Sequence, residues 1–394
     1  MPSTLPRHRH FRSRPARVLH ALAAPLALGV LCAAGPAQAD NGFGHLSSSS
    51  VLVGTYQHTP GTRDAYNAQL DLLGHYDAGP GELQYELKAG STPLSDGVTA
   101  RYPEANALAG ETLSPGGHGR LAITQLYYAI GVGGGELDAG LIFPANYIDT
   151  NPVADDEYHQ FMGLSFVNDL TIQMPVYVLG GTYSHPLNRT FGMLAMLAST
   201  RDLYGHNYPN LLDGGASDRG SFGDLELDWQ QGGLQGNLGA WVNTAHDVTT
   251  PPLATNAIPA PTQTFTRHHA WGVYGNFGGR VPDTGVQWNL RAGWANPKAS
   301  LASNFVSIQA DDTFATPLLP GGRKLTVAAG VSRTGASPDA IGPTAPLIQA
   351  EAYVRTRLVQ SLYVSPDVQW IRHTQFLPDQ HGQWIEGVRV GLQF

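Results

Sequence analysis

The chain has 394 residues, with 23 basic and 31 acidic side chains, a net charge of −8, 47 glycines, 9% aromatic residues and a single cysteine. That balance leaves no basic footprint for nucleic acid, and one cysteine allows no disulfide framework. Beyond residue 39, no segment approaches the ~18 consecutive apolar residues of a helical membrane span.

Residues 1–39 read as a cleaved Sec-type signal peptide. Arg7, Arg9, Arg12, Arg14 and Arg17 form a basic start, Ala21–Ala34 an apolar stretch, and Ala37-Gln38-Ala39 a small-residue cleavage site. The apolar stretch is too short for an anchor helix, and Leu31 before Cys32 argues against a lipoprotein. Cleavage before Asp40 removes five arginines and no acid, so 23 − 5 = 18 basic residues stand against 31 acidic ones, a balance of −13. Cys32 leaves with the signal.

From there on the recurring pattern is period two. Leu83–Ala89, Asp224–Trp229, Leu234–Val242, Val286–Trp294, Lys324–Ser332, Ala350–Leu358 and Val388–Phe394 each alternate apolar and polar residues. Their charged residues are Glu86, Lys88, Asp224, Glu226, Asp228, Arg291, Lys324, Glu351, Arg355, Arg357 and Arg389, all on the face opposite the apolar one. Because side chains alternate across a strand, each window has one apolar and one polar wall. A soluble sandwich turns the apolar wall into a core, whereas a transmembrane barrel turns it to lipid. The alternation alone does not choose.

Loop lengths do. Sixteen strands are expected near 50–57, 66–77, 82–91, 119–130, 135–144, 174–184, 190–200, 220–231, 233–244, 267–278, 283–294, 302–310, 323–333, 347–359, 361–372 and 384–394. Short connections such as 78–81, 131–134 and 279–282 alternate with long ones at 92–118, 145–173, 201–219, 245–266, 334–346 and 373–383. This predicts an all-β transmembrane antiparallel barrel over 40–394, with short periplasmic turns and long external loops. Two places fit poorly: 311–322 is long for a turn, and Phe191–Ala198 (FGMLAMLA) is apolar on both faces, which also suits a buried helix. An even strand count brings the last strand beside the first, which removes the sheet edges that lipid cannot satisfy. Val388, Val390, Leu392 and Phe394 then form the lipid wall of the closing strand, with Glu386 near the external rim. A terminal phenylalanine strand is similar to the signal read by the barrel-assembly machinery.

The stretch Gln125–Pro186, with its L-x-A-G-L, F-x-x-N-x-x-D-T-N and Q-F-x-x-x-x-F-V-N segments, resembles the OprB-like carbohydrate-selective porins. Ala350–Leu358, SPDVQWIRH at Ser365–His373 and the terminal VGLQF are similar to the same family. The region 92–118 and the proline-rich loop Pro251–Pro261 match no part of it. The resemblance implies a sixteen-stranded barrel in the outer membrane of a Gram-negative cell, passing sugars such as glucose, as a monomer or homotrimer.

About sixteen strands enclose an aqueous bore. The resemblance implies that the loop 145–173 is the counterpart of the inward-folding loop of porins; it carries Asp149, Asn151, Asp155, Asp156 and Glu157. Strand faces set Arg291, Arg355, Arg357 and Arg389 against Glu86, Asp224, Glu226, Asp228 and Glu351, and Asp367 and Gln369 lie in the family-like block. Opposed acids and bases can hydrogen-bond a neutral polyol without selecting an ion, and Tyr353 or Trp241 could stack on a sugar ring. The competing reading is that these charges only solvate the bore. No G-x-S-x-G motif occurs, GVGGG at Gly131–Gly135 is followed by no GK[ST], and adjacent His268 and His269 face opposite walls of a strand. Asp155, Asp156, Glu157 and His159 match no EF-hand spacing. The expectation is passive diffusion of small sugars, with no enzyme activity, cofactor or metal. A general or cation-preferring channel is the alternative, and an outer-membrane hydrolase a more distant one.

Overall fold

A computed structural model describes residues 39–40, 45–110, 113–114, 117–203, 206–213, 220–245, 269–317, 323–340 and 342–394. The signal-peptide reading, Cys32, the Pro251–Pro261 loop and His268 lie outside these residues. Sixteen strands follow in chain order: β1 His45–His58, β2 Ala65–Ala78, β3 Gly81–Gly90, β4 Leu121–Val132, β5 Gly135–Ile142, β6 Val178–Pro186, β7 Phe191–Asp202 and β8 Ser221–Gln231. The second half comprises β9 Leu234–Asn243, β10 Ala270–Arg280, β11 Gln287–Ala295, β12 Ala302–Ala315, β13 Lys324–Ala336, β14 Leu347–Val359, β15 Leu362–Arg372 and β16 Gln383–Gln393. A two-residue segment, Ala39–Asp40, also pairs with the start of β1.

Each strand pairs antiparallel with its sequence neighbours, and β16 pairs with β1 through Val390↔Gly54 and Leu392↔Leu52. The seam runs to the last residue: Phe394 N–H donates to the Ser50 carbonyl at 2.9 Å, and Ser50 N–H donates to the Phe394 carbonyl at 3.1 Å. The sheet therefore closes, and the protein is a transmembrane antiparallel β-barrel. Its outer wall carries Leu197, Leu225, Leu238 and Ile308, all more than half exposed, where only an apolar surround removes the cost of contact with water. Trp271 and Trp294 (ring centroids 5.1 Å apart) mark the long-loop rim of this band. Trp229, Phe277 and Trp288 mark the turn rim. Two such girdles are what bilayer interfaces select.

The strand order matches the expected one, with two differences at the poorly fitting places. Phe191–Ala198 is strand, part of β7: its inward Leu194 and Met196 are covered by Ile148 and Ile172 of an inserted loop, so both faces are apolar without a helix. β12 runs on to Ala315, which shortens the connection to 316–323.

Glycine is abundant because aromatic rings lie across it. Tyr363 of β15 faces Gly391 of β16, and a Cβ at Gly391 would stand 2.1 Å from the ring; Tyr274 over Gly239 repeats the arrangement at the same distance. Gly391→Ala must push Tyr363 out of place, and overpacking of this kind costs about 1–3 kcal/mol. The expected result is a lower urea midpoint in micelles, followed by the gel mobility of the folded barrel.

Candidate functional site

Two loops of the long-loop side, L2 (91–120) and L3 (143–177), turn into the barrel. Backbone groups buried there need partners, and the inward strand positions supply them. On one wall Arg291 of β11, fully buried, donates from Nη1 to the Phe166 carbonyl (2.9 Å), from Nη2 to the Asp149 carbonyl (3.0 Å) and from Nε to Asn276 Oδ1 (3.1 Å). It also pairs with the Asp149 carboxylate at 3.2 Å. Asp149 has φ +60°, a left-handed conformation, and its carboxylate accepts from Asp169 N–H (2.9 Å) and Asn276 Nδ2 (2.8 Å). Its own N–H donates to Glu226 (3.0 Å), and Asn237 donates to the Thr150 carbonyl (3.2 Å).

On the opposite wall Glu351 accepts the N–H groups of Met162 and Gly163, both at 2.7 Å. Arg355 donates to the His159 carbonyl, and Arg389 donates to the carbonyls of Glu157 and Gln160. Val153, Ala154, Phe161 and Phe166 form an apolar underside against Ala328 and Tyr353. L3 then reaches the β2 wall, where Tyr158 donates to the Asp71 carboxylate and accepts from Gln69 at 2.7 Å. L2 is held in the same way. Gln57 and Gln369 each donate to the Ala105 carbonyl at 2.9 Å, Gln349 donates to the Glu104 carbonyl at 3.0 Å, and Ala107 N–H joins the Met162 carbonyl of L3 at 2.8 Å.

What stays open is a cavity of about 720 Å³ bounded by both loops and by β1–β3. Its polar lining includes Asp71, Glu86, Lys88, Asp155, Asp156, Glu157 and His159. Lys88 lies 3.6 Å from the carboxylates of both Asp71 and Glu86, and 5.6–6.0 Å from the centres of the Phe143, Tyr158 and Tyr177 rings. Glu86 also accepts from Thr124 (2.8 Å) and Gln125 (2.7 Å), which fixes its carboxylate in the wall. On the turn side of L3 a second cavity, about 330 Å³, is bounded by Asn151, Arg189, Asp228, Asn237, Asn276 and Asn289 among others.

The loop acids differ in their protonation. Although burial opposes it, hydrogen bonds and the charge of His159 hold Asp156 below its ordinary value; His159 Nδ1 sits 2.8 Å away. Asp169, fully buried, is pushed up to about 7, first by burial and then by the Asp149 carboxylate. A carboxyl raised in the folded state binds its proton more tightly there than in the unfolded chain, so stability falls as pH rises from about 4 to about 7. The thermal midpoint is therefore expected to rise on acidification across that window, and Asp169→Asn is expected to flatten the rise.

Of the residues singled out in the sequence, Glu86, Asp155, Asp156 and Glu157 come together around the larger cavity, and Asn151 borders the smaller one while capping Val153 and Ala154. Asp149, Arg291, Arg355, Glu351, Gln369 and Arg389 face inward but are engaged with the loops. Asp367 accepts from Gln369 at 3.0 Å. Arg357 stands apart, exposed at the turn rim and bonded to the Gln360 carbonyl. Tyr353 and Trp241 are buried under loop and wall side chains, with Phe161 edge-on at 5.2 Å and Phe222 stacked at 6.4 Å. Neither ring is open to a sugar. Among the cavity groups, Asp71, Tyr158 and Lys88 went unselected, although Lys88 shares the inward face of Glu86 in the LQYELKA window. The turn-side mouth carries a further group, His75, Asp77 and Glu82, whose nitrogen and oxygen atoms lie within 4.8 Å of one another.

No family model and no curated protein matches the chain. Solved structures do: the high-pH structure of Pseudomonas putida OprB is 15% identical, with 89% of this chain covering 94% of that one at a TM-score of 0.68. The outer membrane channel DcaP of Acinetobacter baumannii is 11% identical, over 90% of this chain and 99% of that one, at 0.54. A loop-deletion mutant of OmpT, an outer membrane protein of Vibrio cholerae, is 10% identical, over 89% and 100%, at 0.53. Likeness at these identities concerns the fold, and the fold is that of a porin.

Proposed function

We propose that this chain is an outer-membrane porin, exported by a cleaved signal peptide and inserted through its Phe394 strand, which lets small sugars diffuse passively. The observation that supports the reading is the cavity of about 720 Å³ left by L2 and L3 inside the closed barrel, whose lining includes carboxylates on both sides of Lys88. Such a lining can exchange hydrogen bonds with hydroxyl groups, and Lys88 offsets part of the acidic charge. Monomer and homotrimer are both compatible with a barrel closed on itself.

A second reading, a cation-preferring channel, draws on the excess of acids: Asp71, Glu86, Asp155, Asp156 and Glu157 line that cavity together with a single lysine. Single-channel recording in planar bilayers with added glucose or maltose separates the two. Sugar-dependent block with weak ion selectivity is the expected result. Strong cation selectivity without block supports the second reading, and a protein that folds but never conducts refutes both in favour of a barrel hydrolase or structural barrel.

A further inference from the structure

On the turn side of L3 the inner wall changes character. Glu226 and Arg291, which meet the loop, are charged, but the next level toward the turns carries amides. The register places Gln230 of β8 opposite Gln235 of β9, Gln235 opposite Gly278 of β10, and Gly278 opposite Asn289 of β11. Directly paired positions share a face, so these residues form one row across four strands. Gly278 adds no side chain, and the Asn289 amide lies toward it: a Cβ there would stand 3.2 Å from Asn289 Nδ2. Gln230, Gln235 and Asn289 all border the smaller cavity of about 330 Å³, a volume in the range of small-ligand pockets.

This row is not taken up by the loop. Asn237 and Asn276, one level closer to L3, hold Thr150 and Asp149. Gln230 is exposed and Gln235 half-buried, and neither amide bonds to another described side chain. Asn289 is only 1% exposed, and its Oδ1 has no hydrogen-bond partner among the described residues. A buried acceptor left unpaired is costly, so this one calls for a donor arriving from the cavity. An amide, like a hydroxyl, offers both a donor and an acceptor, and it carries no charge. The charged side chains on the same cavity, Arg189 and Asp228, are one of each sign.

Resting on the sugar-channel reading, we infer that the Gln230–Gln235–Asn289 row is a second subsite, on the turn side of L3, that binds the hydroxyls of a neutral sugar through amides alone. The solute passes from a charged lining beside L3 to an uncharged one beyond it.

The test compares glucose block of single-channel current in the intact barrel and in two variants, Gln230→Met/Gln235→Met and Asn289→Leu. Both remove hydrogen-bonding groups at similar volume and leave every charge and the anchors of L3 in place. Conductance in potassium chloride and reversal potential are therefore expected to stay unchanged. The glucose concentration at half-block is expected to rise about fivefold in each variant, which corresponds to about 1 kcal/mol. The first variant changes only exposed and half-buried side chains, so it decides the matter where Asn289→Leu does not fold. Block unchanged in that variant would mean that the row holds only water, and would overturn this inference while leaving the sugar-channel reading standing. Weaker block accompanied by a changed conductance or reversal potential would trace the effect to L3 and overturn it as well. An intact barrel whose current glucose and maltose do not alter overturns both.

Discussion

Arg291→Ala is expected to widen the passage and weaken the fold together. Arg291 is buried, ties two carbonyls of L3 to β11, and is the cation closest to the Asp149 carboxylate among the described residues. Removing one partner of a buried pair leaves the other charge uncompensated, at a cost of about 3–5 kcal/mol. The loop can escape much of that cost by lifting away from the wall, so that Asp149 regains water. The barrel itself has complete pairing around its ring and no need of L3 to close. Conductance is therefore expected to rise about twofold or more, with added current noise, while the folded band on gels persists at a lower melting temperature. Unchanged conductance would mean that the Glu351 and Arg389 anchors hold L3 alone.

The second large effect concerns Lys88. Lys88→Met keeps the length and the aromatic contacts but removes the positive charge between Asp71 and Glu86. Two carboxylates then face the passage together with the L3 acids, and nearby cations take over the neutralising role that the ammonium plays now. The permeability ratio of potassium to chloride is expected to rise about fivefold, read as a shift in reversal potential under a salt gradient. Glucose block should weaken as well, since a hydrogen-bond donor is lost. A reversal potential that does not move would place the selective part of the pore elsewhere, for instance along Asp224, Glu226 and Asp228.

Much of the barrel was legible in the chain because one physical rule applies to every strand. Alternation set the inward face of windows such as Val286–Trp294 and Ala350–Leu358, and connection length set the two rims. β7 resisted that rule because what covers Leu194 and Met196 is a loop distant in sequence, not the strand's own neighbours. The functional lining was legible only in part for the same reason. Arg291, Arg355, Arg389 and Glu351 face inward as the alternation requires, yet whether such a residue meets solute or loop depends on where L2 and L3 settle. That is decided by bonds such as Met162 to Glu351 and Gln369 to Ala105, which join segments with no local signature. Tyr353 and Trp241 show the consequence: inward aromatics on the strands became support for the loop. Lys88 shows the reverse, since its importance comes from Asp71 and Tyr158, which no spacing connects to it.

The seam between β1 and β16 also bears on how the protein forms. It joins the first full strand of the barrel to the last one, so it is the most non-local pairing in the sheet and carries the greatest loop-closure entropy. Every other strand has a hairpin or loop partner beside it in sequence, and can pair as soon as that partner is present. The ring therefore cannot be completed until β16 is present, and until then two unpaired edges persist. A chain shortened by even its final few residues would lose the Phe394–Ser50 bonds and leave the edges of β1 and β15 less well matched. Its expected fate is slow insertion and aggregation in place of a slightly weaker barrel.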